Sequence, residues 1–318
     1  MCDQNSSSSN SSRTAILIPC FNEAITIKQV IADFLFAVPE AAIFVYDNNS
    51  IDQTVANARA SGVVVRNEDR QGKGHVVRRM FRDISADVYI LVDGDATYDA
   101  SVAPRMVQCI QTEGYDLVSA VRVPKEGSAF PGGHRFGNRV LTQFTRLAFG
   151  NEIRDMLSGY KAFSRTFVDS FPVHSDGFDI ETEITIHALE LQLPIAHIET
   201  SYQERPIGSE SKLNTYEDGF RILRQILSLL RHERPLLFFS LLGFISMILA
   251  LFLGAPIVLH YFNTGLVPRL PTAVLTTGLV LEGLLCFATG LILDTVSRGR
   301  RESRMLAYLS SSRRRSDG

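Results

Sequence analysis

Two long apolar runs near the end of the chain constrain its fold more than any other feature. Leu236 to Phe262 contains no Asp, Glu, Lys or Arg, and Leu270 to Leu293 contains only Glu282. A bilayer core about 30 Å thick needs about 20 apolar residues per helix, so each run is long enough to span it. The short link between the runs predicts a hairpin of two transmembrane helices within residues 235–297. A pair of buried helices in a soluble core is the alternative.

Charge placement predicts how such a hairpin would be oriented. Residues 298–318 carry seven arginines against two acidic residues, and Arg231 and Arg234 precede the first run. Because positive residues stay on the cytoplasmic side, we expect a two-pass protein of the cytoplasmic membrane, with both termini cytoplasmic and a basic tail. Residues 1–13 are rich in Ser and Asn, so we expect a disordered start and no signal peptide. The net charge of −2 provides no general basic field, and nucleic acid is not an expected partner.

A linking segment joins the hairpin to the rest of the chain. Residues 215–234 place Phe220, Leu223 and Leu227 at helical spacing, with arginines between them. This pattern predicts an amphipathic helix in the membrane interface. An ordinary amphipathic helix packed on the preceding domain explains it equally well.

Residues 14–214 have the pattern of one α/β domain. Apolar β-branched runs alternate with segments of helical spacing, which predicts a mostly parallel, Rossmann-like sheet with helices on both faces. Strands are expected at Thr14–Pro19, Ala42–Asp47, Gly62–Arg66, Asp87–Asp93 and Asp116–Val121. Ligands on such sheets bind beyond the carboxyl ends of the strands. The first strand is followed by neither GxGxxG nor a P-loop, which disfavours a dehydrogenase and a nucleoside triphosphatase.

The fourth predicted strand ends in two carboxylates one residue apart, in the string VDGD. Along an extended chain Asp93 and Asp95 point the same way, and Gly94 lets a ligand approach the backbone closely. Two like charges need a partner, and their oxygens suit Mg²⁺ or Mn²⁺ shared with a diphosphate. A DxD string alone is common, and a solvated acidic turn explains it equally well.

Two later segments combine glycines with basic side chains, as loops that bind anions do. The basic residues are Arg122, Arg135 and Arg139 in the first segment, and Arg205 and Lys212 in the second. A solvated flexible connection explains the first segment equally well. Between the two lies DMLSGYK, which begins at Asp155, and a helix N-cap is the plain role for an aspartate there.

Together these residues resemble family 2 glycosyltransferases of the GT-A fold, in the branch that uses polyprenyl phosphate. That branch includes dolichol-phosphate mannose synthases and bacterial polyprenyl-phosphate glucosyltransferases. The resemblance runs from about Ala15 to Ser297 and rests on IPCFNEA, VYDNNSIDQT, QGKG, VDGD, DMLSGYKAFSR and ERPIGSESKL together. It implies a GT-A catalytic domain, then an interfacial helix, then a two-helix transmembrane hairpin, in a protein that forms homo-oligomers.

The resemblance also implies a role for each matching position. The nucleotide-sugar would be bound by Pro19, Phe21, Glu23, Val45, Asp47, Lys73, Asp93, Gly94, Asp95, Arg205 and Lys212. The acceptor phosphate would be bound by Arg122, Arg135 and Arg139. Asp95 resembles the principal ligand of a divalent Mg²⁺ or Mn²⁺ ion, with Asp93 beside it. Asp155 resembles the catalytic carboxylate.

The implied reaction moves a hexose, with inversion, from a nucleotide-sugar to a polyprenyl phosphate such as undecaprenyl phosphate. UDP-glucose is the donor expected first and GDP-mannose second. A phosphate monoester has a second pKa of about 6, so Asp155 is expected either to orient the acceptor or to act as a base. The alternatives are a membrane-anchored transferase to a hydroxyl acceptor and an inactive nucleotide-sugar-binding module. A processive polysaccharide synthase is disfavoured because its QxxRW motif needs tryptophan, which the chain lacks.

Overall fold

The computed structural model describes residues 13–124, 154–172, 180–203, 234–267 and 269–316, and the single positions 143, 227, 228 and 231. The chain divides into two compact units, residues 1–219 with 304–318 and residues 220–303.

The first unit is built on a sheet of seven strands. These are β1 (Thr14–Cys20), β2 (Ala42–Asp47), β3 (Val64–Asn67), β4 (Val88–Leu91), β5 (Leu117–Pro124), β6 (Lys161–Ser164) and β7 (Ile195–Tyr202). Their order is β3-β2-β1-β4-β6-β5-β7. The pairs are parallel except for the two that β6 makes with β4 and β5. The mostly parallel sheet is confirmed, and β6 is an antiparallel strand that the sequence did not predict.

Helices cover both faces of this sheet. Among the described residues the helices are α1 (Ile27–Ala37), α2 (Thr54–Ala60), α3 (Lys73–Asp83), α4 (Ala103–Gln111), α5 (Arg165–Ser170), α6 (Ile180–Glu190), α7 (Pro235–Thr264) and α8 (Leu270–Ser316). Because side chains alternate along a strand, β1 supplies Ile16 and Ile18 to the core under α1 and α4. It supplies Ala15 and Leu17 to the core under α3, α5 and α6.

The end of α8 belongs to the first unit. Met305 and Tyr308 pack against the core under α3, α5 and α6. The Tyr308 hydroxyl donates a hydrogen bond of 2.7 Å to Asp116 Oδ2, and Arg304 forms an ion pair with Glu190. The segment expected as a basic tail is thus helical to Ser316, and its first part is fixed to the sheet domain.

The second unit contains α7 and most of α8. Both helices are long and apolar enough to cross a membrane. The two backbones approach closely, since a Cβ added to Gly243 would lie 2.8 Å from the Gly283 carbonyl oxygen. The Ser246 hydroxyl donates a 3.3 Å hydrogen bond to Glu282, so the one acidic residue of the second apolar run is bonded across the hairpin.

Candidate active site

The topology of the sheet brings distant parts of the chain to one edge. Because β6 is antiparallel to β4, with Lys161 opposite Leu91, β6 begins where β4 ends. The loop 155–160 before β6 therefore lies at the edge where the parallel strands end. Strand β5 reaches the same edge, with Ser119 opposite Lys161 and Arg122 three residues further on. We call the loops after β1, β2 and β4 the strand-end side. The loop side consists of Arg122, the loop 155–160, Lys161 and Glu181.

On the strand-end side, the loop after β1 is tied to the loop after β2. The Asn22 N–H donates to Ser50 Oγ at 2.8 Å, and the Ile51 N–H donates back to Asn22 Oδ1 at 2.9 Å. The Glu23 N–H donates to Thr54 Oγ1 at 2.8 Å. Asn22 has a φ of 56°, in the left-handed region that asparagine tolerates better than most residues. These bonds fix the shape of the predicted nucleotide pocket.

Asn48 fixes the segment that leads into α3. Its side-chain amide donates to the carbonyls of Glu68 and Arg70 at 2.9 and 2.7 Å, and its Oδ1 accepts the Gly72 N–H at 2.7 Å. Sequence reasoning missed this buried residue. The signal was the asparagine pair of VYDNNS directly after a predicted strand, where amide side chains commonly bond to backbone groups.

The predicted nucleotide residues are divided between the edge and the core. Pro19, Phe21 and Glu23 are half-buried at the edge. Asp47 is 4% exposed, and its Oδ2 accepts the Ser50 N–H at 3.0 Å. Its Oδ1 has no partner among the described residues. Val45 is fully buried in the core under α1 and α4, so its side chain does not line the edge.

The acidic pair after β4 has two different environments. Asp95 is 3% exposed, and its Oδ1 accepts bonds from the N–H and hydroxyl of Thr97 at 3.2 and 2.6 Å. Thr26 Oγ1 donates to the Gly94 carbonyl at 2.6 Å, which anchors the turn to α1. Asp93 is more exposed and is paired with Lys73.

Lys73 bridges Asp93 to Glu181. Burial opposes the charge of Lys73, but the two carboxylates outweigh it, and the pKa of Lys73 lies above its ordinary range. Lys73 is therefore a cation held between two anions. Sequence reasoning missed Glu181, which is buried in the first turn of α6 near a second acidic residue, Glu183.

Oxygen donors at this edge suit a hard divalent cation. The described residues contain no group of three or more His, Cys, Asp or Glu side chains that could hold a metal ion. Two carboxylates alone fit an ion that takes its remaining ligands from a phosphate and water, as Mg²⁺ commonly does.

On the loop side, Arg122 and Asp155 form a two-point ion pair. Arg122 Nε lies 2.7 Å from Asp155 Oδ2, and Nη2 lies 2.8 Å from Oδ1. Asp155 is 5% exposed, and the guanidinium lies 5.5 Å from the centre of the Tyr202 ring. The alternative role of Asp155, as a helix N-cap, does not apply, because turns and then β6 follow it. The structure thus brings the predicted catalytic carboxylate and acceptor arginine into direct contact.

Four other predicted site residues are basic residues of the two glycine-containing segments. Arg135, Arg139, Arg205 and Lys212 lie outside the described residues, as does most of the expected interfacial helix at 215–234.

The sequence and the fold of this chain are similar to those of known proteins. The family model described as "Glycosyl transferase family 2" matches residues 15–171. Glycosyltransferase AglJ of Haloferax volcanii is 35% identical over 73% of this chain and 76% of its own length. The dolichyl-phosphate hexose transferase of the same organism is 26% identical over 69% of this chain and 95% of its own length. The glucosyl-3-phosphoglycerate synthase of Mycobacterium tuberculosis, solved with Mn²⁺, UDP-glucose and phosphoglyceric acid, aligns with a TM-score of 0.54 at 24% identity, over 69% of this chain and 79% of that one. This last likeness establishes the fold.

Proposed function

Because the chain belongs to glycosyltransferase family 2, we propose that it transfers a hexose from a nucleotide-sugar to polyprenyl phosphate, with inversion at the anomeric carbon. One observation carries the proposal: the two sides of the site meet at Gly159. A Cβ there would lie 2.1 Å from Asp93 Oδ2, so the loop that begins at Asp155 touches the acidic pair. Groups suited to a donor diphosphate and to an acceptor anion therefore lie along one edge. The name of the dolichyl-phosphate hexose transferase supports the choice of acceptor.

The donor is assigned to the strand-end side. Pro19, Phe21, Glu23 and Asp47 would hold the nucleoside, as the resemblance implies. We propose UDP-glucose as the preferred donor and GDP-mannose as the next, on the resemblance of the motifs.

A divalent ion fits this side as well. Asp95 would be its principal protein ligand, because the charge of Asp93 is already shared with Lys73. When bound, Mg²⁺ or Mn²⁺ supplies positive charge to the departing diphosphate. Thr97 holds one oxygen of Asp95 in place through two hydrogen bonds, which fixes the carboxylate for that purpose. Lys73 keeps Asp93 from repelling an anionic donor.

The acceptor is assigned to the loop side. An oxygen of the lipid phosphate forms the new bond to the anomeric carbon, while the bond from that carbon to the diphosphate breaks. The phosphate is already largely ionised at neutral pH, so no strong base is required. Both oxygens of Asp155 are bonded to Arg122, which favours the positioning role for Asp155 over the role of a base. We propose that Arg122 with Arg135 and Arg139 binds the acceptor phosphate.

Two further assignments complete the proposal. Arg205 and Lys212 would close over the donor phosphates. Helices α7 and α8 would cross the cytoplasmic membrane twice, with both termini in the cytoplasm and the chain assembled as a homo-oligomer. Anchoring confines the enzyme to the layer that holds the lipid phosphate, which raises the effective concentration of the acceptor.

A transfer assay tests the function directly. Full-length protein in lipid vesicles with undecaprenyl phosphate is given radiolabelled nucleotide-sugars one at a time, and the products are extracted into organic solvent. We expect label in the organic phase with UDP-glucose, loss of transfer with EDTA, and its return with Mg²⁺ or Mn²⁺. Label only in an aqueous product would indicate a hydroxyl acceptor. Donor binding without turnover would indicate a binding module, and either result would overturn the proposal.

A further inference from the structure

Lys161 is a buried cation that the proposed chemistry does not use. It is the first residue of β6 and is only 1% exposed. Its ammonium donates to the carbonyl oxygen of Ser158 at 2.6 Å and faces that of Met156 at 3.4 Å. In the part of the chain that the structure describes, no carboxylate forms an ion pair with it. Burial lowers the pKa of Lys161 to about 8, which reflects the cost of placing its charge here.

The carbonyls that Lys161 holds belong to the loop 155–160, which is the part of the loop side that contacts the strand-end side. At one end of this loop, Asp155 is bonded to Arg122. At the other end, Gly159 touches Asp93, and its N–H donates to the Tyr98 hydroxyl at 2.8 Å. The spacing between the acidic pair and the Arg122–Asp155 pair therefore depends on the backbone of residues 156–158.

Packing alone does not account for a lysine at this position. A methionine has nearly the same length and apolar surface and carries no charge to desolvate. Replacing a buried charge by an apolar group of similar volume is often neutral or stabilising. Electrostatic attraction to Asp155 and Glu181 favours the ammonium, while Lys73 and Arg122 oppose it. The presence of an ammonium at this position is therefore better explained by its bonds to the two carbonyls than by a contribution to the stability of the fold.

We propose that Lys161 is a positioning residue that holds residues 156–158 and so sets the spacing between Asp93 and Asp155. The inference rests on the proposed function, since this spacing would be the distance between donor and acceptor groups. The effect of Lys161 on the backbone of residues 156–158 can also be measured without a substrate.

The test compares Lys161→Met and Lys161→Arg in the full-length protein with Lys28→Met, at an exposed position on α1. For Lys161→Met we expect a melting temperature at or above the wild-type value. We expect kcat to fall at least about tenfold, while KM for the donor and the Kd for UDP stay within about twofold. Lys161→Arg retains donors for the carbonyls and should recover part of the lost kcat.

Hydrogen exchange separates this inference from the function. In Lys161→Met we expect the backbone amides of residues 156–160 to exchange at least about tenfold faster, with global stability at or above that of the wild type. Wild-type protein that makes no lipid-linked sugar would overturn the proposed function, and the exchange rates would still decide the role of Lys161. Unchanged exchange in Lys161→Met would overturn the inference. A kcat of the wild-type value in Lys161→Met would also overturn the inference. A combined loss of stability, kcat and donor affinity in this variant would do the same.

Discussion

The two sides of the site are held in place by different forces. On the strand-end side, most of the bonds between loops come from neutral groups such as Asn22, Asn48 and Thr26, and Asp93 with its Lys73 partner is the exception. On the loop side, charged groups far apart in the chain pair with each other, as Arg122 does with Asp155. Neutral hydrogen bonds keep a pocket in shape whatever the ligand charge, whereas ion pairs respond when anionic substrates arrive. Substitutions on the strand-end side should therefore change mainly the affinity for the donor, and substitutions on the loop side should change mainly kcat.

The largest effect is expected at Asp95, the proposed metal ligand and an exception to this division. Asp95→Asn keeps the shape of the side chain but removes its charge, so kcat should fall about 100-fold or more. The measurement is transfer to undecaprenyl phosphate over a titration of Mg²⁺ and Mn²⁺. Asp33→Asn, on the outer face of α1, serves as the control. Transfer by Asp95→Asn at nearly the wild-type rate would remove Asp95 from the metal site.

Breaking the ion pair on the loop side should come next. Asp155→Asn leaves the Arg122 guanidinium without its anion, so we expect at least about a tenfold loss of kcat with little change in UDP affinity. Removing one partner of a buried pair costs about 3–5 kcal/mol, and Arg122 is 18% exposed, so the loss of stability should be smaller. Asp169→Asn breaks an exposed ion pair with Arg165 and is the matched control.

A double variant separates stability from function at this pair. Arg122→Met combined with Asp155→Leu removes both charges, and we expect stability to recover while transfer stays low. Recovery of transfer as well would show that the pair serves only the fold. Equal loss of UDP binding and transfer in Asp155→Asn would point to the same conclusion.

On the strand-end side, Asn48→Ala should raise KM rather than lower kcat. The change leaves three backbone groups of the segment before α3 without their partner. Each such group that is buried should lower the free energy of unfolding by about 1–3 kcal/mol. Thermal unfolding and donor titration measure the two effects. The exposed Asn67→Ala is the control. A selective loss of kcat in Asn48→Ala would contradict the contrast between the two sides.

The smallest effect is expected away from both sides, at the end of α8. Tyr308→Phe removes one hydrogen bond to Asp116, and unfolding of the sheet domain should become easier by about 1 kcal/mol. Transfer at saturating substrate should be unchanged. Tyr115→Phe, at a half-buried position, controls for loss of a hydroxyl. A large drop in kcat for Tyr308→Phe would mean that this contact influences the site.

The strand-end side could be predicted from the sequence because its acidic residues stand at or directly after the ends of recognisable strands. A buried strand followed by a DxD string places Asp93 and Asp95 at the sheet edge without knowledge of other strands. Asp47 follows from the same rule applied to β2. Val45 differs from these residues, since the family resemblance assigns it to the pocket while the alternation along β2 directs its side chain into the core.

The loop side could not be predicted in the same way, because it depends on the direction of a four-residue strand. Nothing in KAFS distinguishes a parallel β6 from an antiparallel one, yet that choice brings Gly159, at the end of the loop that begins at Asp155, against Asp93. The partners of the ion pairs are also far apart in the chain, since Asp155 lies 33 positions after Arg122 and Glu181 lies 108 positions after Lys73. Sequence patterns of period two or 3.6 contain no information about such pairs.

The contacts of Arg304 and Tyr308 have a practical consequence for anyone who wants a water-soluble form of the enzyme. Cutting the chain before α7 would also discard the piece of α8 that covers the core under α3, α5 and α6. The truncated protein would expose apolar surface and leave Glu190 without its cation. A soluble version should therefore keep residues 304–316, joined to the sheet domain by a flexible tether in place of the two apolar helices.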